Sequence, residues 1–195
     1  WIELYNIGTE SVNIGGYYLS DDPDEPTKWM IPFGTIIPGN GYKTFWCSGR
    51  EEVSLNSNHT SFKLKQTKEE SEHVVFSDSN GTIINDFEIQ ITQLEHSMGR
   101  SSDGSPVWKI FSNPTRNGSN EGASYLSYAY QPEMNFEAGF YDGGIFLEIS
   151  TAETDAEIYY TIDGNPPDAG SSMYNGGLWI TSTQIVKAIV IPNED

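Results

Sequence analysis

Four carboxylates crowd one short loop near the start of the chain: Asp21, Asp22, Asp24 and Glu25. Calcium takes several oxygen ligands, and carboxylates on a loop between two strands can supply them. The spacing differs from that of an EF-hand, and Pro23 and Pro26 stiffen the loop. The four residues are therefore predicted either to bind calcium or to form a solvated turn, and no other cofactor is expected.

Three aromatic side chains are candidates for ligand binding: Trp29, Tyr160 and Trp179. Aromatic faces stack on sugar rings and anchor protein partners. Trp29 follows the acidic loop, and Trp179 stands between Leu178 and Ile180, so that strand alternation turns it to the opposite face. The same alternation separates Tyr160 from Tyr159, which sends one of these two tyrosines into the core. The alternative is that each ring covers the second face of its strand under a loop.

Signatures of catalysis are absent from the sequence. The histidines His59, His73 and His96 are scattered without metal-ligand spacing. There is no nucleophile elbow, phosphate loop or dinucleotide fingerprint. Cys47 is the single cysteine and falls in register with Phe45 on one strand, which predicts a buried, unreactive thiol. We therefore expect no enzymatic activity from these residues.

The charge of the chain limits its partners. Ten Lys and Arg stand against 28 Asp and Glu, for a net charge of −18. This field repels phosphate backbones, so nucleic acid is not an expected partner. No apolar run is long enough to span a bilayer, so membrane insertion is not expected either. The remaining candidates are a protein or a glycan.

Short strands separated by turns must position these groups. Aromatic residues make up 13% of the chain, and 19 Gly and 10 Pro punctuate it. Asn80-Gly81 and Asp103-Gly104 are hairpin dipeptides, and regular short strands with such turns indicate a sandwich. The fold class is thus all-β. Strands are predicted at 1–6, 17–20, 28–31, 35–37, 42–47, 61–64, 73–77, 82–84, 87–91, 98–100, 107–111, 145–150, 157–162, 178–181 and 184–191.

The pattern changes near residue 112, where apolar periodicity stops. The stretch 113–122 is rich in Asn, Gly and Ser and is typical of a domain end followed by a linker. A new series of strands then begins. We predict a first domain over 1–120, a linker over 121–131 and a second domain over 132–195.

The first domain resembles the lamin tail domain, an immunoglobulin-like β-sandwich. The matching runs share its order of strand and turn motifs and include Trp1-Ile2-Glu3-Leu4-Tyr5-Asn6, Tyr18-Leu19-Ser20-Asp21-Asp22, Lys28-Trp29, Pro38-Gly39-Asn40-Gly41-Tyr42, Phe62-Lys63-Leu64, Asp78-Ser79-Asn80-Gly81, and Gly99-Arg100-Ser101 through Trp108. The family carries a further strand before the Trp-Ile-Glu-Leu run. The resemblance therefore implies an unpaired edge along 1–6, open to pairing with another chain.

The second domain resembles the β-sandwich module at the C-terminus of chitobiases and hexosaminidases. The resemblance rests on Phe136, Gly139-Phe140-Tyr141, Ile158-Tyr159-Tyr160-Thr161-Ile162-Asp163-Gly164, Tyr174-Asn175-Gly176 and Val186-Lys187-Ala188. That family usually has one more closing strand. Both immunoglobulin-like modules are thus expected to be truncated at their outer ends.

The two resemblances together imply a function. Such modules occur in tandem in exported bacterial proteins, at the cell surface or beside hydrolases. We expect a non-catalytic binding or spacer region that recognises protein or glycan, or positions a neighbouring enzyme domain. The alternative is a part of a glycan-acting hydrolase with its own carbohydrate-binding or catalytic role.

Overall fold

The structure is a computed structural model that describes residues 1–50, 58–65 and 72–193. These residues form β-strands joined by turns, and none of them is helical. The predicted all-β class, with two immunoglobulin-like sandwich modules, is confirmed. The chain divides into two compact units, Trp1–Ser127 and Tyr128–Asp195, here called unit 1 and unit 2. Ser124 and Tyr125, inside the predicted linker, pair with Phe111 and Ile110 of unit 1; the predicted domain limits stay predictions.

Unit 1 contains eleven strands within the described ranges. They are β1 Ile2–Tyr5, β2 Val12–Asn13, β3 Tyr18–Ser20, β4 Trp29–Met30, β5 Ile36–Ile37, β6 Tyr42–Phe45, β7 Glu72–Ser77, β8 Ile83–Ile89, β9 Ser97–Arg100, β10 Trp108–Phe111 and β11 Ser124–Tyr125. One sheet has the order β4-β3-β7-β8. The other strands form the antiparallel pairs β1–β6 and β2–β5 and the three-stranded sheet β11-β10-β9.

The core of unit 1 lies between the four-stranded sheet and the shorter strand pairs. Its buried members come from both layers: Ile2, Ile14, Leu19, Trp29, Ile31, Ile37, Phe45 and Phe62. Trp29 meets Phe45 edge to face with ring centroids 5.7 Å apart. Large rings thus fill a space that the aliphatic side chains of this chain would not fill alone.

The outer face of the β1–β6 pair is tied to distant segments. The Glu3 carboxylate accepts hydrogen bonds from Thr44 Oγ1 at 2.8 Å and from the Asn117 main-chain N–H at 2.8 Å. The Tyr42 hydroxyl donates to the Asp103 carboxylate. Two segments between residues 100 and 120 are therefore held against β1 and β6 by charged acceptors, which make stronger hydrogen bonds than neutral ones.

The described part of unit 2, up to residue 193, contains seven strands: β12 Glu133–Met134, β13 Ile145–Leu147, β14 Ile149–Ser150, β15 Ala156–Thr161, β16 Ser172–Met173, β17 Leu178–Ile180 and β18 Lys187–Pro192. They form the pairs β12–β14 and β13–β17 and the sheet β16-β15-β18. Three of its apolar side chains are buried: Leu147, Ile149 and Val190. This core is small, and most other residues of unit 2 keep part of their surface exposed.

Three predicted features of the strands are wrong. The predicted strand at 145–150 forms the two strands β13 and β14, which belong to different pairs. The predicted strands at 82–84 and 87–91 form the single strand β8, because Asn85 and Asp86 pair with Phe76 and Val75 in spite of their low strand preference. The predicted strand at 61–64 is a turn with one isolated bridge, between Ser48 and Lys63.

Truncation of Phe45 tests the core. The side chain is fully buried, so Phe45→Ala should lower the free energy of unfolding of unit 1 by about 3–5 kcal/mol through lost contacts and a cavity. Urea denaturation followed by tryptophan emission measures the loss. The control is Leu94→Ala, whose side chain is 75% exposed and should cost less than about 0.5 kcal/mol. Equal losses would contradict this packing.

Titration of Tyr42 tests its link to Asp103. Burial and the neighbouring carboxylate raise the pKa of Tyr42 to about 12 from 10.0. A raised phenol pKa stabilises the fold fully below pH 10 and less as pH rises toward 12. The difference between near-ultraviolet titrations of wild type and Tyr42→Phe should show one phenol with this high pKa, and Asp103→Asn should lower it. A Tyr42 phenol that ionises near pH 10 in the wild type would disprove the link.

Candidate functional site

The acidic loop is organised by its own side chains and by Lys28. The Asp22 carboxylate accepts a hydrogen bond from the Asp24 N–H at 2.9 Å, and Ser20 Oγ accepts one from the Asp22 N–H at 3.0 Å. Lys28 Nζ lies 2.7 Å from Asp21 Oδ1 and 3.9 Å from Glu25 Oε2. The hydrogen bond to Asp21 raises the pKa of Lys28. The ammonium group thus stands where a cation bound by Asp21 and Glu25 would have to lie.

In the described ranges, no group of three or more His, Cys, Asp and Glu side chains is placed to hold a metal ion. The acidic loop forms a turn with local hydrogen bonds and two ion pairs of Lys28, to Asp21 and Glu25. Calcium binding by Asp21, Asp22, Asp24 and Glu25 stays a prediction, as does the alternative of a solvated turn.

Trp29 does not offer its ring to a ligand. It is only 3% exposed and belongs to the core of unit 1. Trp29 pairs with Leu19 on the four-stranded sheet and packs inward against Phe45, so its ring is covered in this fold. Strand alternation predicts which side chains share a face of a strand. Which of the two faces is buried depends on how the strands pack in the folded protein.

Tyr160 is half-buried on the inner face of β15. The strand pairs Ile158 with Val190 and Tyr160 with Ala188, so Tyr160 shares the face of the buried Val190. Its ring meets that of Tyr174 edge to face, with centroids 6.3 Å apart. A ligand role for Tyr160 stays a prediction, and its position in the fold is that of a packing residue.

Trp179 and a second exposed aromatic residue form a cross-strand pair. It is 70% exposed and lies opposite Phe146, which is 40% exposed, on the β13–β17 pair. The two ring centroids are 5.2 Å apart at an interplanar angle of 54°. We call Trp179 and Phe146 the aromatic platform. A side chain at Gly177 would overlap the Phe146 ring, so this glycine lets the ring lie close to the backbone.

Phe146 was missed by the sequence reasoning. It stands between Ile145 and Leu147, so the run looks uniformly apolar and does not reveal which residue faces outward. The cross-strand register supplies the missing information by setting Phe146 opposite Trp179. A second exposed ring, Phe140, is fully exposed near Tyr141, whose ring packs edge to face on Phe136.

Two histidines of unit 1 each have a polar partner. His73 Nδ1 lies 2.7 Å from Asp86 Oδ1 across the β7–β8 pair, and His59 Nδ1 lies 2.8 Å from Ser48 Oγ. These pairs belong to different parts of unit 1, and neither joins a third catalytic group in the part of the chain that the structure describes. Cys47 packs against the core, and burial raises the pKa of its thiol, which disfavours the reactive thiolate.

The fold and its sites define a chain of two β-sandwich modules with surface aromatics. Residues 1–90 match the family model of the Lamin Tail Domain, and residues 136–194 match that of the Chitobiase/beta-hexosaminidase C-terminal domain. Both resemblances expected from the sequence are confirmed, while the likeness of residues 91–120 to the first family stays a prediction. The Chitobiase/beta-hexosaminidase C-terminal domain is an accessory domain of glycosidases and is not itself catalytic. No curated protein and no solved structure matches the chain significantly.

A membrane-spanning helix is not found among the described residues.

Replacement of Lys28 tests the ion pair in the acidic loop. The side chains of Lys28 and Asp21 are 32% and 20% exposed, so Lys28→Met should cost about 0.2–1 kcal/mol at neutral pH. Because the pKa of Lys28 is raised above 10.5, the pair stabilises the fold fully below pH 10.5 and progressively less above it.

Urea denaturation of both proteins across this pH range measures the difference. Thr27→Met, at an exposed neighbouring position, is the control. A Lys28→Met deficit that stays constant above pH 10.5 would contradict the pairing.

Proposed function

We propose that this chain is a non-catalytic binding region of an exported multidomain protein, and that unit 2 binds carbohydrate on the aromatic platform. By holding a glycan, it would position a neighbouring enzyme domain on its substrate. The observation that carries the proposal is the exposed pair of Trp179 and Phe146 in cross-strand register. Export is proposed because chitobiase-related domains typically occur in secreted enzymes.

The platform has the physical properties that a sugar ring needs. The faces of aromatic rings carry partial negative charge and attract the weakly positive C–H groups of a sugar. The strand that bears Phe146 is fixed by Asn135, whose side chain donates to the Phe146 carbonyl at 3.2 Å and accepts from the Glu148 N–H at 2.8 Å. A fixed, exposed ring loses little conformational freedom on binding, so more of the contact energy remains as affinity.

A catalytic role of these residues is not favoured. Glycoside hydrolysis requires two carboxyl groups flanking the scissile bond, with the pKa of one raised so that it donates a proton. The Asp78 carboxylate accepts hydrogen bonds from the N–H groups of Thr82 and Asn80, which lower its pKa and so disfavour proton donation by this group. Non-catalytic binding fits the structure better.

Removal of the platform rings tests the proposal. A glycan array followed by calorimetry with the best ligand should detect binding to wild type. Trp179→Ala should weaken that binding by about tenfold or more, as truncation of an aromatic anchor does, and Phe146→Ala should weaken it less. The matched control is Trp46→Ala, which removes another exposed tryptophan from unit 1 and should leave the affinity unchanged.

Two outcomes would contradict the proposal. One is the absence of binding across the array, and the other is an equal loss of affinity in the Trp46 variant. Incubation of the purified chain with chitin-type oligosaccharides should show no turnover. Reproducible turnover that disappears on mutation of a single carboxylate would favour the hydrolase alternative.

A further inference from the structure

The aromatic platform has a carboxylate beside it on the same face of unit 2. From Phe146 to Glu148 the exposure of the side chains alternates: Phe146 and Glu148 are exposed, and Leu147 between them is buried. Residues two apart on an extended strand share a face and lie about 7 Å apart. Glu148 therefore faces the same side as the two rings, one step beyond Phe146. On the opposite strand the pairing ends at Leu178, and the next residue, Gly177, has no side chain to cover this carboxylate.

Asn135 holds Glu148 in this position. Its side-chain amide donates to the Phe146 carbonyl at 3.2 Å and to Glu148 Oε2 at 3.4 Å, and its Oδ1 accepts from the Glu148 N–H at 2.8 Å. One amide group thus contacts both the main chain at Phe146 and the carboxylate next to it. No Lys or Arg forms an ion pair with Glu148 in the part of the chain that the structure describes. The exposed carboxylate keeps most of its acceptor capacity for a ligand.

Charge in unit 2 is almost entirely negative. The unit carries eleven Asp and Glu residues against a single basic residue, Lys187, for a net charge of −10. Lys187 belongs to β18 in the sheet β16-β15-β18, whereas the platform lies on the β13–β17 pair. A field of one sign attracts ligands of the opposite sign and repels those of its own. Glycans with carboxylate, sulfate or phosphate groups are therefore disfavoured, and cationic glycans are favoured.

The rings and the carboxylate favour the same kind of positive charge. The face of an aromatic ring attracts an ammonium group, and indole does so most strongly. A carboxylate adds a charge-assisted hydrogen bond to such a group. A neutral sugar gains from the rings alone, whereas an amino sugar that stacks on Trp179 gains from Glu148 as well.

We propose that the aromatic platform selects glycans whose sugar units carry protonated amino groups, and that Glu148 sets this preference. The selection rests on the proposed function, because it requires a glycan on Trp179 and Phe146. Glu148 is then the residue that distinguishes a charged sugar from a neutral one. A lysine-rich peptide offers the same charge but no sugar ring to stack on the platform, so it is a poorer occupant.

Two oligosaccharides of equal length test the selection. One is a short β-linked glucosamine oligomer with free amines, and the other is the same oligomer with every amine acetylated, which removes the charge. In mildly acidic buffer of low ionic strength, calorimetry with the intact chain should show about fivefold tighter binding of the free-amine oligomer. Added salt should reduce this preference, because salt screens exposed charges. An oligomer of uronic acid should bind more weakly than the acetylated one.

Two matched substitutions locate the preference. Glu148→Gln removes the charge and keeps the shape of the side chain, so it should weaken binding of the free-amine oligomer about three- to fivefold and leave the acetylated one unchanged. Glu157→Gln removes the same charge from β15, in the sheet β16-β15-β18, and should leave both affinities nearly unchanged. Circular dichroism checks the fold of each variant; if Glu148→Gln is not folded, the salt dependence of wild type decides.

The outcomes separate this selection from the proposed function. If neither oligomer binds, or if Trp179→Ala weakens neither, the proposed function fails and the selection fails with it. If Trp179→Ala weakens both but wild type does not prefer the free amines, only the selection is overturned. Equal losses in Glu148→Gln and Glu157→Gln would overturn the role of Glu148. A lysine oligomer of equal charge that binds as tightly as the glucosamine oligomer would show that the surface selects charge without a sugar, and would also overturn the inference.

Discussion

The antiparallel pairing of β1 with β6 is the constraint on which unit 1 depends. On its inner face the pair contributes Ile2 and Phe45 to the core. On its outer face, the Glu3 carboxylate accepts a hydrogen bond from the Asn117 N–H, and the Tyr42 hydroxyl donates one to Asp103. A strand pair that binds the core on one side and two long-range segments on the other couples regions far apart in sequence.

The two units use aromatic residues in opposite ways. In unit 1 the rings of Trp29 and Phe45 pack inward and replace aliphatic bulk. In unit 2 the fully buried apolar side chains of the described residues are aliphatic, Tyr160 is half-buried on the inner face of β15, and Trp179 and Phe146 face outward. Burial of apolar surface is the main source of stability, so an exposed ring stabilises the fold less than a buried one would. Unit 2 has a small core and nevertheless exposes two large rings, and this supports the proposal that the aromatic platform binds a ligand.

Strand alternation predicted most of the fold and part of the candidate site. It placed Phe45 and Cys47 on one face and turned Trp179 away from its neighbours, because a period of two fixes relative orientation. It failed at Trp29, since a second layer that covers one face is a tertiary event. Alternation did not identify Phe146 as an outward-facing residue, because its neighbours Ile145 and Leu147 are also apolar. Lys28 lies three residues after Glu25 in the sequence. This spacing was a local signal that the lysine ammonium group could pair with the carboxylates of the acidic loop.

The placement of the tryptophans decides what light emission can report about this chain. Trp179 is the only tryptophan of unit 2 and is already 70% exposed, whereas Trp29 of unit 1 is buried. Exposure to water shifts indole emission only where the folded state had excluded water. Unfolding of unit 2 would therefore leave the emission spectrum nearly unchanged. A single smooth transition seen by fluorescence would describe unit 1 alone, and agreement with a backbone probe is needed before the chain is treated as one cooperative unit.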